Sequence, residues 1–313
     1  MKLIAPSYYP QFKCIADKCR HSCCVGWEID VDEDTLAYYQ EVEGTLGQRL
    51  KESIDLSGDA PHFRLSADER CPFLNRSGLC DLITQLGEDS LCQICADHPR
   101  FRNFYADRTE IGLGMCCEAA AQLILSQEDK VRLITLEDDG EAEELPEEEA
   151  LVIAQRDALT AIAQKRSLSM EERIMQLADI CGAEITTATL SAWAAFMLDL
   201  ERLDDAWTAQ LKLLQHAELP EEKLSDRWAV HFEQLLVYLL YRHMPGAVDD
   251  GDVQGRLSLC ILGWMVIHRL FQLQEAQTLE TLAELCRMFS SEIEYSDDNL
   301  SALLDALDEG GLV

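Results

Sequence analysis

The sequence predicts a mainly α protein in which an irregular, Cys-rich N-terminal metal-binding module packs on a C-terminal helical domain. Three observations carry this prediction. Apolar residues recur at helical spacing from about residue 147 to the end, and the first 125 residues are broken by turn signals. Ten of the 13 cysteines fall between Cys14 and Cys117. With 313 residues, 48% of them hydrophobic, the chain can bury a core without help from disulfides or metal.

Residues 1–125 form the Cys-rich module, punctuated by "SGDAP" and "NRSG". Inside it, Asp32 or Asp34 is placed to cap a helix over 35–54, with Leu36, Tyr39, Leu46 and Leu50 on one face. A second helix is expected to begin near Glu118, in "EAAAQLILSQ". Residues 126–150 read as an acidic linker or loop, because "LEDDGEAEELPEEE" holds nine carboxylates with Gly and Pro. Its end doubles as the acidic start of the next helix. Residues 151–313 form the helical domain. Helices are expected over 147–164, 169–182, 189–216, 229–244, 255–274, 278–293 and 296–311, with breaks at "GAEIT" and "MPGAVDDGD". No fixed-period repeat is present.

Charge and hydropathy exclude several functions. The net charge of −32 repels nucleic-acid phosphate and anionic lipid, and the sequence has no basic groove. A basic or lysine-presenting partner is compatible with it. The N-terminus "MKLIAPSYYPQFKC" lacks the apolar run of a secretory signal. The most apolar stretch, Leu257 to Phe271, is too short to span a bilayer and reads as a buried helix. A cytoplasmic location with no membrane partner is therefore expected. Nothing in the sequence sets the oligomeric state.

In that compartment thiols stay reduced, so clustered cysteines point to metal rather than disulfides. Cys181, Cys260 and Cys286 sit singly in apolar helical patterns and read as core residues. The others form four groups: Cys14, Cys19, Cys23 and Cys24; Cys71 and Cys80, joined by a Gly-containing turn; Cys92 and Cys95; and Cys116 and Cys117 at a helix start. Thiolates are soft, anionic ligands for zinc and for iron–sulfur clusters, and either metal suits this set. A tetrahedral ion or a cubane needs only four thiolates, so the set exceeds one site. His21, His62 and His98 read as surface or structural residues.

The order C-x4-C-x3-CC-x-GW, then "CPFL…GLC", then C-x2-HPR, then a Cys followed closely by Glu, resembles the flagellin lysine-N-methylase family. That family is akin to a wider group of Cys-cluster proteins described as zinc- or iron-chelating. Cys14, Cys19, Cys23, Cys24, Cys71, Cys80, Cys95 and Cys116 match the pattern. Cys92 and Cys117 lie outside it, and His98 stands where the family usually has an aromatic residue. The resemblance implies a 4Fe–4S cluster and methyl transfer from S-adenosylmethionine to lysines of flagellin. The radical-enzyme spacing C-x3-C-x2-C is incomplete here, because Gly26 takes its third position. Gly112 and Gly114 make a G-x-G without the third glycine or the βα context of a nucleotide-binding fold. Tyr38, Tyr39 and Tyr105 read as structural, so no general base is assigned. Trp27 reads as a substrate-slot wall or as an apolar lid over a cluster. A non-enzymatic zinc- or iron-binding protein, for storage, delivery or redox sensing, is the alternative reading of the same thiols.

Overall fold

The structure, a computed structural model, describes residues 1–58, 60–141, 143–183, 186–217 and 224–308. It is mainly α, as expected. The chain forms two compact units, Lys13–Phe101 and a larger one of Met1–Phe12 with Arg102 onward. The division differs from the expected 1–125, 126–150 and 151–313. The cause is strand β1 (Lys2–Pro6), which pairs parallel with Arg108–Leu113 and antiparallel with Leu133–Asp138. Strand pairing assigns the N-terminus, and with it Cys116 and Cys117, to the larger unit.

In the smaller unit, Asp32 caps α1 (Glu33–Glu41) by accepting from the Thr35 amide at 3.0 Å. The single helix expected over 35–54 is two, because Val42 and Glu43 turn extended before α2 (Gly44–Ser53). A Cβ at Gly47 would collide with the Val42 carbonyl, so glycine there lets the turn close. Strands β2 (Ile54–Asp55) and β3 (His62–Phe63) form a short ladder, and α3 (Asp81–Leu86) and α4 (Gln93–Asp97) follow. The core centres on Tyr39, Phe63 and Phe73, with ring centroids 6.2 and 5.1 Å apart in succession. Leu50, Leu82 and Cys92 complete it. The Tyr39 hydroxyl donates to the Ser90 carbonyl at 2.7 Å, which makes this tyrosine structural.

A four-stranded sheet has the order β4-β5-β1-β6, with β4 at Arg100–Phe104, β5 at Arg108–Leu113 and β6 at Leu133–Asp138. Helix α5 (Glu118–Leu125) begins where the sequence places it. The stretch expected as a linker is instead tied down. Gln234 donates to the carbonyls of Gln127 and Asp129, Arg166 to that of Glu128, and Gln164 to that of Val131. β6 then occupies Leu133–Asp138. Helices α6 (Glu147–Ala163), α7 (Met170–Cys181), α8 (Thr187–Asp199) and α9 (Asp205–His216) follow. The chain continues through α10 (Ala229–His243), α11 (Ala247–Asp250), α12 (Val253–Gln272), α13 (Leu279–Phe289) and α14 (Asp297–Asp308).

The expected helix over 189–216 breaks at Leu200, which is extended. No Gly or Pro marks the break. Glu292 stabilises it by accepting the amides of Leu203 and Asp204 at 2.9 and 2.8 Å, and Asp204 then caps α9. Helix α13 runs into a π-helical turn at Ser290–Glu294 that buries Glu292 and Glu294. Glu184 and Ile185 of the expected "GAEIT" break, Ala142 of the acidic stretch, and Glu309–Gly311 of the last expected helix lie outside the described residues.

Helices α10 and α12 pack together at the centre, through side chains such as Phe232, Leu236 and Leu240 on α10 and Leu257, Val266 and Phe271 on α12. The apolar Leu257–Phe271 stretch is thus a buried helix, and among the described residues no helix is long and apolar enough to cross a membrane. Cys181, Cys260 and Cys286 are buried core residues, as expected. Two buried carboxylates tie elements together. Glu233 on α10 binds Arg166 at 2.9 Å and Arg173 at 2.6 Å, and Glu110 on β5 pairs with Arg156 on α6.

Glu110 is 0% exposed and Arg156 2%. Arg156→Met leaves the carboxylate with Arg108 alone, at 3.3 Å. The expected cost is about 3 kcal/mol, because a buried charge loses its main partner. Denaturant unfolding should show a lower midpoint at unchanged slope, with much of the loss recovered in the Glu110→Gln/Arg156→Met double variant.

Candidate metal centre

Backbone geometry in the smaller unit brings thiols from three segments together. The Cys71 amide donates to the Cys24 carbonyl at 2.8 Å, and the Gly26 amide to the Glu69 carbonyl at 3.0 Å. These bonds lay the "CCVGW" segment alongside residues 69–71. The loop from Cys71 to Cys80 then doubles back. Asn75 Oδ1 accepts the amides of Ser77 and Leu79, Gly78 adopts φ +76°, and the Asp81 amide donates to the Phe73 carbonyl. The turn expected from sequence is present, and it returns Cys80 to the vicinity of Cys71. The third segment is α4, where Asp32 Oδ2 accepts the Gln93 amide at 2.8 Å. One carboxylate therefore caps α1 and also anchors the turn that carries Cys92 and Cys95.

These thiols face a cavity of ≈ 100 Å³ lined by Cys23, Cys24, Cys71, Cys80 and Cys95. Ile29, Phe63, Leu82 and Leu91 form apolar walls. Trp27 and His98 also line it, in edge-to-face contact at 5.2 Å. Five of the eight cysteines matched to the family pattern thus share one cavity. Cys14 is exposed, with its Sγ 3.4 Å from the Ala16 amide, and Cys19 Sγ lies 3.2 Å from the His21 carbonyl. Neither lines this cavity. Cys116 belongs to the larger unit, where it is buried and hydrogen-bonded to Tyr295. Cys92 lies outside the family pattern, yet it is fully buried and hydrogen-bonded to Cys95. Their C-x-x-C spacing therefore makes a real contact.

The donor set fits a soft metal or an iron–sulfur cluster in kind: several thiols, apolar walls, and no lysine or arginine among the described lining residues. Among the described residues, however, no three His, Cys, Asp or Glu side chains stand close enough together to hold an ion as they are. The thiols are gathered around the cavity without being drawn to ligand distance.

Electrostatics divides the thiols. A hydrogen bond with Cys23 brings Cys24 down to about 7 against the opposing effect of burial, with Ser22 and the charge of Arg70 adding to it. Burial pushes Cys71 up to about 12 and also raises Cys80. In the Cys92–Cys95 pair the hydrogen bond between the thiols favours the thiolate on Cys92, at the first turn of α4, and holds the proton on Cys95. Burial lowers His98 to about 4, so its imidazole is neutral near pH 7.

Sequence reading missed two features. The second role of Asp32 has no local signal, since its partner Gln93 is distant in sequence. The other is a buried network beside Cys116. Glu294 accepts from the Tyr238 hydroxyl at 2.6 Å and pairs with His243 at 2.7 Å, and Arg242 lies 5.2 Å from the Tyr295 ring. The charged residues in "SSEIEYS", directly after an apolar helix, were the available hint.

The fold and this site define a mainly α protein with a thiol-lined cavity in its smaller unit. The chain is similar to two proteins named lysine-N-methylase, from Salmonella typhimurium and Salmonella choleraesuis, each 28% identical over 134 residues. The alignment covers 41% of this chain and 33% of each relative, so the chain matches about a third of their length. A flagellar biosynthetic protein, FliU, of Salmonella muenchen is 27% identical over 134 residues, covering 41% of this chain and 79% of that protein. The resemblance to the flagellin lysine-N-methylase family noted in the motifs is thus present in curated relatives as well. No family model and no solved structure matches.

In the metal-free protein, Cys24 should be alkylated by iodoacetamide with a rate that rises through a midpoint near pH 7. A thiol lowered to about 7 becomes thiolate across that range, whereas Cys71, raised to about 12, stays protonated. Mass-spectrometric mapping of alkylated peptides against pH checks this. Labelling of Cys71 ahead of Cys24 at pH 7.5 would contradict the assignment.

Proposed function

We propose that the chain is a protein lysine N-methyltransferase acting on flagellin, with a 4Fe–4S cluster held by cavity thiols and S-adenosylmethionine as methyl donor. The observation that carries the reading is the coincidence of the thiol-lined cavity with similarity to proteins named lysine-N-methylase. Cys24, Cys71, Cys80 and Cys95 are the proposed cluster ligands. They come from three backbone-anchored segments, and each lines the cavity. When bound, such a cluster supplies one-electron chemistry. The chain's own contribution is desolvation. A lysine ammonium has no lone pair, and apolar walls such as Trp27 and Ile94 favour its neutral, nucleophilic form. The net charge of −32 favours encounter with a lysine-bearing surface.

A second reading is a non-enzymatic zinc- or iron-binding protein. It is favoured by the alignment, which reaches only a third of the lysine-N-methylases' length and leaves most of this chain unmatched.

One set of variants tests both. Cys71→Ser and Cys95→Ser should lose bound iron and sulfide, and with them transfer of labelled methyl from S-adenosylmethionine to purified flagellin. Cys117→Ser should retain most of both, and Cys92→Ser should do so if Cys92 only tunes Cys95. Equal metal content in all four variants would overturn the ligand assignment. A cluster-loaded protein that transfers no methyl group, with reductant present, would favour the second reading.

A further inference from the structure

The larger unit carries a pocket of ≈ 280 Å³ where the short turn Asp226–Trp228 enters α10. Arg227, Trp228 and His231 line it, joined by Gln277 from the loop just before α13. Its volume is close to the lower end of the roughly 300–1,000 Å³ of small-molecule sites.

The polar groups around this pocket are unspent. Among the described residues, the Arg227 guanidinium makes no ion pair or hydrogen bond, and it lies 5.1 Å from the centroid of the Trp228 ring. Stacking occupies a face of the guanidinium and leaves its N–H edge free. Trp228 is only 6% exposed, yet its indole Nε1–H meets no acceptor. Buried donors are almost always paired, so an orphaned one calls for a cause. The Gln277 side-chain amide likewise makes no hydrogen bond among the described residues. His231 keeps Nδ1 on the Leu125 carbonyl at 2.7 Å. A carbonyl only accepts, so that nitrogen carries the hydrogen and Nε2 is left uncommitted. No Asp or Glu is among the described lining residues, in a chain whose net charge is −32.

A cation with a free edge, a buried donor without an acceptor and a spare amide meet at one small space. What all three lack is an acceptor that carries negative charge. We propose that this pocket binds a compact, hydroxylated organic anion through a carboxylate or phosphate group. The oxygens take the N–H edge of Arg227, with the Trp228 indole and the Gln277 amide as further donors. The ligand hydroxyl donates to His231 Nε2. The inference rests on this pocket alone and is independent of the methyl-transfer reading.

Calorimetric titration of the full chain at low salt, with two matched pairs of probes, tests it and separates the two anionic groups. One pair is glycerol 3-phosphate and neutral glycerol, and the other is lactate and neutral lactamide. In at least one pair the anion should bind about tenfold more tightly than its neutral partner. Arg227 is exposed, so Arg227→Gln should weaken that anion by about tenfold while thermal unfolding stays unchanged. In nitrogen-15 spectra the indole N–H signal of Trp228, assigned by its loss in Trp228→Phe, should shift with the same midpoint as the heat. The proposal is overturned if neither anion binds, if anion and neutral probe bind alike, if Arg227→Gln leaves the affinity unaltered, or if the Trp228 signal does not move.

Discussion

The hydrogen bond from the Cys71 amide to the Cys24 carbonyl joins two segments far apart in sequence, and the cavity thiols are arranged around that junction. A buried thiol contributes little more than a small apolar side chain to packing, so packing alone does not fix where its sulfur points. Backbone bonds do. The Asn75 turn returns Cys80 toward the junction, and Asp32 fixes α4 by its amide as it caps α1. Each thiol-bearing segment is thus anchored by a hydrogen bond from a main-chain amide.

The same apolar walls that shape the cavity make thiolates costly in it. Burial raises Cys71 and Cys80, whereas paired thiol contacts lower Cys24 and Cys92. The two lowered thiols, Cys24 and Cys92, each have a neighbouring cysteine as hydrogen-bond partner, Cys23 and Cys95. A metal that binds all the cavity thiols would release protons as it does so, since the ligand is the thiolate. In the larger unit, buried charge is handled by direct pairing. Glu110, Glu233 and Glu294 each meet a cation or polar partner across elements, which ties β5 to α6, α7 to α10, and the π-helical turn to α10.

Much of this was legible in the sequence, for reasons that differ by element. Helices α10, α12 and α13 are signalled by their own apolar spacing. The Cys71–Cys80 turn is signalled by Asn75 and Gly78, residues whose chemistry acts within a few positions. What escaped depends on distant partners. The break after Asp199 is held by Glu292, the stretch after Leu125 by Gln234 and Arg166, and β1 by strands more than a hundred residues away. Of the cysteines that the pattern singles out, Cys23, Cys24, Cys71, Cys80 and Cys95 line one cavity. The pattern gave no warning that Cys116 would fall in the other unit, because strand pairing drew that boundary.

The central proposal is a 4Fe–4S cluster on the cavity thiols. Iron Mössbauer spectroscopy on anaerobically purified, iron-57-enriched protein tests it most directly. The account predicts quadrupole doublets of tetrahedral, sulfur-ligated iron with the delocalised valence of a cubane, at about four irons per chain. Iron-free protein carrying stoichiometric zinc in a sulfur-only shell near roughly 2.3 Å would contradict it.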